Sequence, residues 1–371
     1  MNFDYSDDQK FLKGEARKFL EARSGSQVVR GVLNNDDVSY DKDLWAGVAE
    51  QGWLGAAISE EHGGLGLGHI ELCAIAEEMG RVAAPIPFAS TVYFVAEAIM
   101  AAGTDEQKAE YLPKIAAGEL IGCYATSEGP GAVTPGSIKA KVEGGKLSGV
   151  KIPVTDGDCA DIAIVLANES GRPGLFIVDL KGAGVTAETL KSLDPTRGVA
   201  RLTFKDAPAR ALGAAGEGFA ITEQVFDRAA VLLAFEQVGG ADRCLEMAKE
   251  YALGRYAFGR VIGSYQAIKH KLADMYVKNE VARSNAYYGA WALNTNAPEL
   301  PVAASAARIA GSEAYWFASK ENIQTHGGMG FTWEVDCHLF YRRSRQLALV
   351  AGGPKVWKER LVSQLERRNA A

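Results

Sequence analysis

Cysteine and histidine are scarce, at five of each in 371 residues. Cys73, Cys123, Cys159, Cys244 and Cys337 stand far apart and form no CxxC pair. That spacing gives neither a disulfide framework nor a zinc-ligand set, and it points to a reducing compartment. His62, His69, His270, His326 and His338 include no HExxH pair, so no motif asks for a metal. Positive charge is not in excess either. The 40 Lys and Arg face 46 Asp and Glu, a formal charge of -6, which argues against a protein built to neutralise nucleic-acid phosphates. The uncharged stretch from Val82 to Ala96 is too short to span a bilayer and holds Pro85 and Pro87. The first residues, Met1 to Phe19, lack a basic start followed by an apolar run, so no leader is expected. Together these absences predict a cytoplasmic protein without metal, membrane or nucleic acid.

What is present suits a globular chain. Hydrophobic residues make up 47% and charged residues 23%, enough apolar side chain to offset the entropy of ordering. At about 150 residues per domain the length suggests two or three domains. The 41 glycines predict many tight turns or close backbone approaches.

Three zones separate by hydrophobic period. Residues 1–117 read as helical, with Leu12, Ala16, Phe19 and Leu20 at three- and four-residue steps. Ser6-Asp7-Asp8-Gln9 is a helix start whose short polar side chains can cap free amides. A further helix opens at Asp105 and is expected to end near Pro113. Residues 118–215 change to strand character. Ile138, Ala140 and Val142 alternate with charged residues, Gly144-Gly145 follows, and Leu147 to Ile152 resumes, which reads as a hairpin. Ile162 to Leu166 and Leu175 to Val178 are short buried runs split by Gly171-Arg172-Pro173-Gly174, and Arg201 to Phe204 adds another strand. Residues 216–371 return to helix: Phe226 to Ala252 with a tolerated Gly239-Gly240, Gln266 to Leu293, and Val302 to Gln324 before Gly327-Gly328. The order is helices, a small β module, then more helices.

Several motifs, in order along nearly the whole chain, resemble the acyl-CoA dehydrogenase family. Ser59-Glu60-Glu61-His62-Gly63-Gly64-Leu65-Gly66 is similar to its acidic, glycine-rich turn. Tyr124 to Glu128 resembles its flavin-side strand, and Val154-Thr155-Asp156-Gly157 its Trp-Ile-Thr-Asn-Gly segment. Arg255-Tyr256-Ala257-Phe258-Gly259, followed by Gln266-Ala267 and Leu272 to Met275, is the strongest match; Gln324 to Phe331 is the next. The resemblance implies an α+β fold with an N-terminal helical domain (1–117), a middle β-barrel-like domain (118–215) and a C-terminal four-helix bundle (216–371).

It also implies FAD and flavin-dependent α,β-dehydrogenation of an acyl-CoA thioester. In that chemistry a carboxylate takes the α-proton as a β-hydride moves to the flavin. Hydrogen bonds to the thioester carbonyl stabilise the enolate-like transition state, and burial raises the pKa of the base. By the same resemblance Arg255 pairs with the FAD pyrophosphate across a subunit interface, where a guanidinium fork suits a diphosphate. Phe258 and Gln266 resemble adenine-side and pyrophosphate-side contacts. Gln324, Gly327 and Gly328 resemble the loop that brings backbone amides to the adenosine diphosphate. Ser127 and Thr155 sit where the family sets hydroxyls against the isoalloxazine. Taken singly, each has a plainer reading. Arg255 is also a cation at a helix C-terminus, Gly327-Gly328 a helix stop, Thr155-Asp156-Gly157 a turn, Phe258 a core residue on a helical face, Glu60-Glu61 a solvated loop, and His326 a packed or capping histidine.

The departures from the family pattern fall on chemistry. Most members carry the base in a Tyr-Glu-Gly motif near the C-terminus; here that position is Ala351. Others carry it early in the first C-terminal helix; here Phe226-Asp227-Arg228-Ala229-Ala230 puts Ala229 there. A methyl group accepts no proton. Gly-Ser-Asp of the flavin loop reads Ala132-Val133-Thr134, the flavin-packing Trp is Pro153, and the residues after the base read Gly353-Pro354-Lys355. The expectation is a base-less subunit that completes the FAD site of a paralogous catalytic subunit, as in bacterial α2β2 members of steroid side-chain degradation, with an electron-transfer flavoprotein as acceptor. Two rivals stand beside it. One is a self-sufficient homotetramer using Glu236, which lies in the apolar run Val231 to Phe235, about two turns beyond Ala229; against this, Glu236 also reads as a structural carboxylate with a hydrogen-bond or Arg partner. The other is a non-redox acyl-CoA binder or hydratase-like member.

Overall fold

A computed structural model describes residues 5–370. The helices among them are α1 (Asp7–Arg23), α2 (Ser26–Leu33), α3 (Lys42–Glu50), α4 (His69–Arg81), α5 (Glu97–Ala102), α6 (Asp105–Ala116), α7 (Gly218–Gly254), α8 (Gln266–Asn294), α9 (Leu300–His326), α10 (Cys337–Leu347) and α11 (Pro354–Ala370). The strands are β1 (Gly122–Ala125), β2 (Lys141–Glu143), β3 (Lys146–Thr155), β4 (Ile162–Glu169), β5 (Arg172–Asp179), β6 (Val185–Thr189), β7 (Val199–Pro208), β8 (Arg210–Leu212), β9 (Tyr256–Ala257) and β10 (Arg260–Val261). This is the α+β order expected from the sequence: helices, a middle sheet, C-terminal helices.

Contacts group the chain into two units. One comprises Met1–Val29, His69–Ala84 and Ala230–Ala371; the other Arg30–Gly68 and Pro85–Ala229. In the first, α8, α10 and α11 all pack on α9. Ser6 caps α1 in a reciprocal capping box with Gln9, which satisfies amides the helix itself leaves open. Helices α4 and α7 cross at glycines. A Cβ on Gly80 would stand 1.8 Å from the carbonyl oxygen of Glu236, and one on Gly239 1.8 Å from that of Glu77. Gly239 is therefore required by a backbone approach, where the sequence suggested only a tolerated break. Beside the crossing, Glu77 meets Lys13 and Arg283, each at 2.5 Å, and Arg283 also donates to Asp242.

The second unit holds a mixed sheet of eight strands. Its order is β6-β7-β3-β2-β4-β5-β8, with β1 added parallel to β4. The expected hairpin is β2–β3, turning at Gly144 (φ 56°) and Gly145 (φ 74°), where two positive φ values suit glycine. β4 is buried from Ile162 to Ala167, as a strand covered on both faces should be. Two boundaries differ from expectation. The β4–β5 turn is Ser170-Gly171, and Pro173 lies within β5 opposite Asn168, a position that asks no donor of it. Helix α6 runs through Pro113 to Ala116, held by its Thr104–Gln107 capping box and by burial of Leu112 and Ile115. An eight-residue π-helical segment, Ala89–Ala96, is fully buried.

Candidate cofactor-binding site

Six of the sequence-derived positions lie where α7, α8 and α9 end or begin. Tyr251, in the last turn of α7, stacks on His326, the last residue of α9, with ring centroids 4.2 Å apart. His326 is buried, its Nδ1 2.9 Å from the Asn322 carbonyl oxygen, which makes it a packing residue at this corner. Lys271 of α8 pairs with Glu321 of α9 at 2.5 Å. These two contacts draw the C-termini of α7 and α9 and the N-terminus of α8 to one end of the helices.

The side chains singled out from the sequence are exposed along that edge. Arg255 follows α7 directly, and its carbonyl accepts from Ile262 N–H at 2.8 Å, closing the base of the β9–β10 hairpin. Phe258 and Gly259 are the turn of that hairpin, with φ of 52° and 83°. Phe258 is 96% exposed, so the core reading fails: the residue sits on a tight turn, not a helical face. A bulky residue in the left-handed region is held there at a cost of order 1–3 kcal/mol. Tyr265 helps to hold it, its hydroxyl donating to the carbonyls of Ala257 (3.0 Å) and Phe258 (3.2 Å) while the Arg260 guanidinium lies 4.1 Å from its ring. Gln266 opens α8, exposed. Gln324 is exposed in the last turn of α9, and its carbonyl accepts from Gly327 N–H. Gly327 (φ 60°) and Gly328 face open space, with no atom within 4 Å of a would-be Cβ. Gly330 differs: its Cβ would meet the Ile323 carbonyl oxygen at 2.5 Å, so the chain must turn back here on glycine.

Ser127 and Thr155 belong to the sheet unit. Ile152 N–H donates to the Ser127 carbonyl at 2.8 Å, so the two hydroxyl residues stand on adjoining backbone beside Pro153. The Ser127 hydroxyl donates to the Gly129 carbonyl at 3.0 Å. Behind Thr155 lies a buried polar cluster that sequence reasoning missed. Asp156 (φ 56°) accepts from Arg197 through Nε (3.2 Å) and Nη2 (2.8 Å) and from Ser90 Oγ at 2.6 Å. Nearby, Lys151 is fully buried on Glu128 at 2.7 Å; burial presses its pKa down, against the pull of Glu128.

Of the positions weighed for a base, Ala229 is fully buried at the end of the sheet unit's share of α7. Ala351 lies in the turn between α10 and α11 with φ 57°. Glu236 is buried in α7, its Oε1 3.7 Å from Arg343 Nη1, while Arg343 donates to the carbonyls of Ala84 and Ala83 at 3.2 Å each. Among the described residues no cluster of His, Cys, Asp and Glu could hold a metal ion, and no helix is long and apolar enough to cross a membrane.

Fold and edge define an α+β protein of helix–sheet–helix order with a basic, glycine-lined rim on its C-terminal helices. Comparison makes this specific. The acyl-CoA dehydrogenase N-terminal domain model matches residues 6–119, and the C-terminal domain model matches 216–365. Acyl-CoA dehydrogenase IpdE2 of Mycobacterium tuberculosis is 32% identical over 362 residues, 97% of this chain and 98% of that protein. FadE34 of the same organism is 30% identical over 96% of this chain, which spans 47% of its length. Among solved structures, a Tcur3481-Tcur3483 steroid ACAD variant has a TM-score of 0.90 at 30% identity, covering 98% of this chain and 99% of that one. An acyl-CoA dehydrogenase complexed with FAD from Bacillus anthracis has a TM-score of 0.89 at 27% identity, covering 99% of this chain and 68% of that one. The chain belongs to the acyl-CoA dehydrogenase family, oxidoreductases acting on the CH–CH bond of acyl-CoA.

Proposed function

We propose that this chain is the FAD-associated, base-less subunit of an acyl-CoA dehydrogenase, completing the cofactor site of a paralogous catalytic subunit in an α2β2 heterotetramer. One observation carries the reading. Methyl groups stand at both positions where the family resemblance sets the base, Ala351 and Ala229, while the edge from Arg255 to Gly328 keeps the expected residue types and is exposed. The rim suits a dinucleotide. The Arg255 guanidinium offers charge to a diphosphate, Gly327 and Gly328 carry no side chain to block close approach to their backbone, and the exposed ring of Phe258 offers a stacking face. The sheet side suits it less. The Ser127 hydroxyl is engaged by Gly129, and Pro153 replaces an aromatic ring. Ser127 and Thr155 remain the assigned contacts to the isoalloxazine edge. When bound, FAD supplies the hydride acceptor of α,β-desaturation.

The domain division at 1–117, 118–215 and 216–371, the cytoplasmic location and the electron-transfer flavoprotein acceptor are part of this reading. A steroid-derived CoA thioester is the favoured substrate class, supported by the likeness to the steroid ACAD variant. Glu236 acting alone as base is disfavoured by its neighbour: its Oε1 faces the Arg343 guanidinium, which it serves as a counter-charge. The test is a visible spectrum of the chain purified alone and co-expressed with a Glu-bearing paralogue. Expected are a colourless lone chain and a yellow complex that bleaches with acyl-CoA. One FAD per chain in a pure homo-oligomer, with turnover, would refute the reading. Absence of colour in both preparations would favour a non-redox acyl-CoA binder.

A further inference from the structure

Arg308 of α9 is 1% exposed, and its guanidinium ends against the turn that joins α10 to α11. The last carbonyls of any helix lack intrahelical donors. Here Arg308 Nη2 donates to the carbonyl of Leu347, the last residue of α10, and to that of Val350 at 3.0 Å. A cation at this end also complements the helix dipole. The turn it spans is unusual. Leu349 is 63% exposed, Ala351 has φ 57°, and Gly352 has φ 101°. A non-glycine residue in the left-handed region persists only where its surroundings over-determine it.

The charge on Arg308 needs support in turn. Burial lowers its pKa to about 9, and Glu236 of α7 opposes that shift. The carboxylate of Glu236 itself faces Arg343 of α10.

We propose that Arg308, through its bonds to the Leu347 and Val350 carbonyls, is a positioning residue that holds the 348–353 turn, and Ala351 on it, in a single conformation. The bearing on chemistry rests on the reading above, in which Ala351 marks the position of the base. The conformational claim does not.

Hydrogen exchange of the full chain tests it, comparing wild type with Arg308→Gln, Arg308→Lys and Glu236→Gln. Loss of two charge-assisted bonds should speed exchange at 348–353 by about tenfold or more in Arg308→Gln, with α8 and α9 amides unchanged. Lysine, which can donate to both carbonyls, should restore most of the protection. Glu236→Gln should loosen residues 82–84, through Arg343. A uniform rise across α7–α11, no rise at the turn, or a lysine variant as fast as the glutamine variant would each overturn the proposal. Should Arg308→Gln fail to fold, a fully unprotected turn in Arg308→Lys would overturn it. Because no arm uses flavin or a partner, failure here leaves the base-less reading untouched, and failure of that reading leaves this test intact.

Discussion

Replacing Gly239 by alanine should destabilise the protein, although alanine is the better helix former. The added Cβ would lie 1.8 Å from the Glu77 carbonyl oxygen, 2.8 Å from its carbon and 3.0 Å from Arg81 N. All three are backbone atoms, so no side chain can rotate away. Ordinary contacts begin near about 3.5 Å, so α4 and α7 would have to part by well over about 1 Å. Overpacking of this kind costs about 1–3 kcal/mol. The upper end applies because Gly80 meets Glu236 in the same way and because Glu77 anchors Lys13 and Arg283 on the same turn. Alanine's propensity returns about 1 kcal/mol. The net loss is about 2 kcal/mol, a fall in Tm of about 4 °C or more at roughly 2–4 °C per kcal/mol. Gly14→Ala in α1 is the control: nothing lies within 4 Å of its Cβ, so only the propensity gain should appear. Thermal melting of both variants decides the matter. A Gly239→Ala protein melting at or above wild type would refute the close-crossing argument.

Three further outcomes follow from the same geometry. Arg197→Met strips a buried carboxylate, Asp156, of its bidentate partner and should cost about 3–5 kcal/mol; Asp156→Asn added to it should recover part of the loss by melting, and no recovery would show that the pair is not what Arg197 serves. Burial alone would raise the Glu77 pKa, but Lys13 and Arg283 outweigh it and hold the carboxyl below its ordinary value. Its contribution is therefore present above the unfolded-state pKa and lost as pH falls through the folded one, so Glu77→Gln should flatten the acid limb of a Tm-against-pH curve; parallel limbs would count against it. Asp242, raised by burial and also by the Glu77 charge, acts in the opposite sense, and its smaller rise in Glu77→Gln should offset part of the flattening. Phe258→Ala should leave the melting temperature within about 1 °C, since a side chain 96% exposed contributes little to stability, yet weaken FAD retention in the complex with a catalytic paralogue; unaltered retention would remove Phe258 from the site.

The sequence made the elements legible wherever a local signal sufficed. Ser6 and Gln9 cap α1, Gly144-Gly145 turn the hairpin, and the apolar run Ile162–Leu166 is a buried strand, because capping, turn chemistry and burial each act over a few residues. Tertiary context overrode local preference at Pro113 and Pro173. The first is carried inside α6 by a buried face, and the second sits in β5 where no donor is required. Gly80 and Gly239 were unreadable in a different way: a Cβ on either would lie 1.8 Å from a carbonyl oxygen about 160 residues away in the chain, and one sequence carries no mark of that encounter.

The candidate site divides along the same line. Arg255–Gly259 and Gln324–Gly330 are contiguous segments at helix ends, where chain order alone sets neighbours, so the rim could be drawn from motifs. Even there, the exposure of Phe258 depended on a turn that periodicity assigns to a helix. The buried charges could not be drawn at all. Asp156 with Arg197 and Ser90, Glu236 with Arg343, and Arg308 with the Leu347 and Val350 carbonyls, are assembled from distant segments, and their roles are decided by partners. Glu236 shows why this matters for chemistry. Read in sequence it is a carboxylate in an apolar run, which burial alone would turn into a base; read beside Arg343 it is one half of a buried charge pair. The same side chain therefore argues for an active lone chain or against one according to a neighbour, Arg343, that the sequence leaves unspecified.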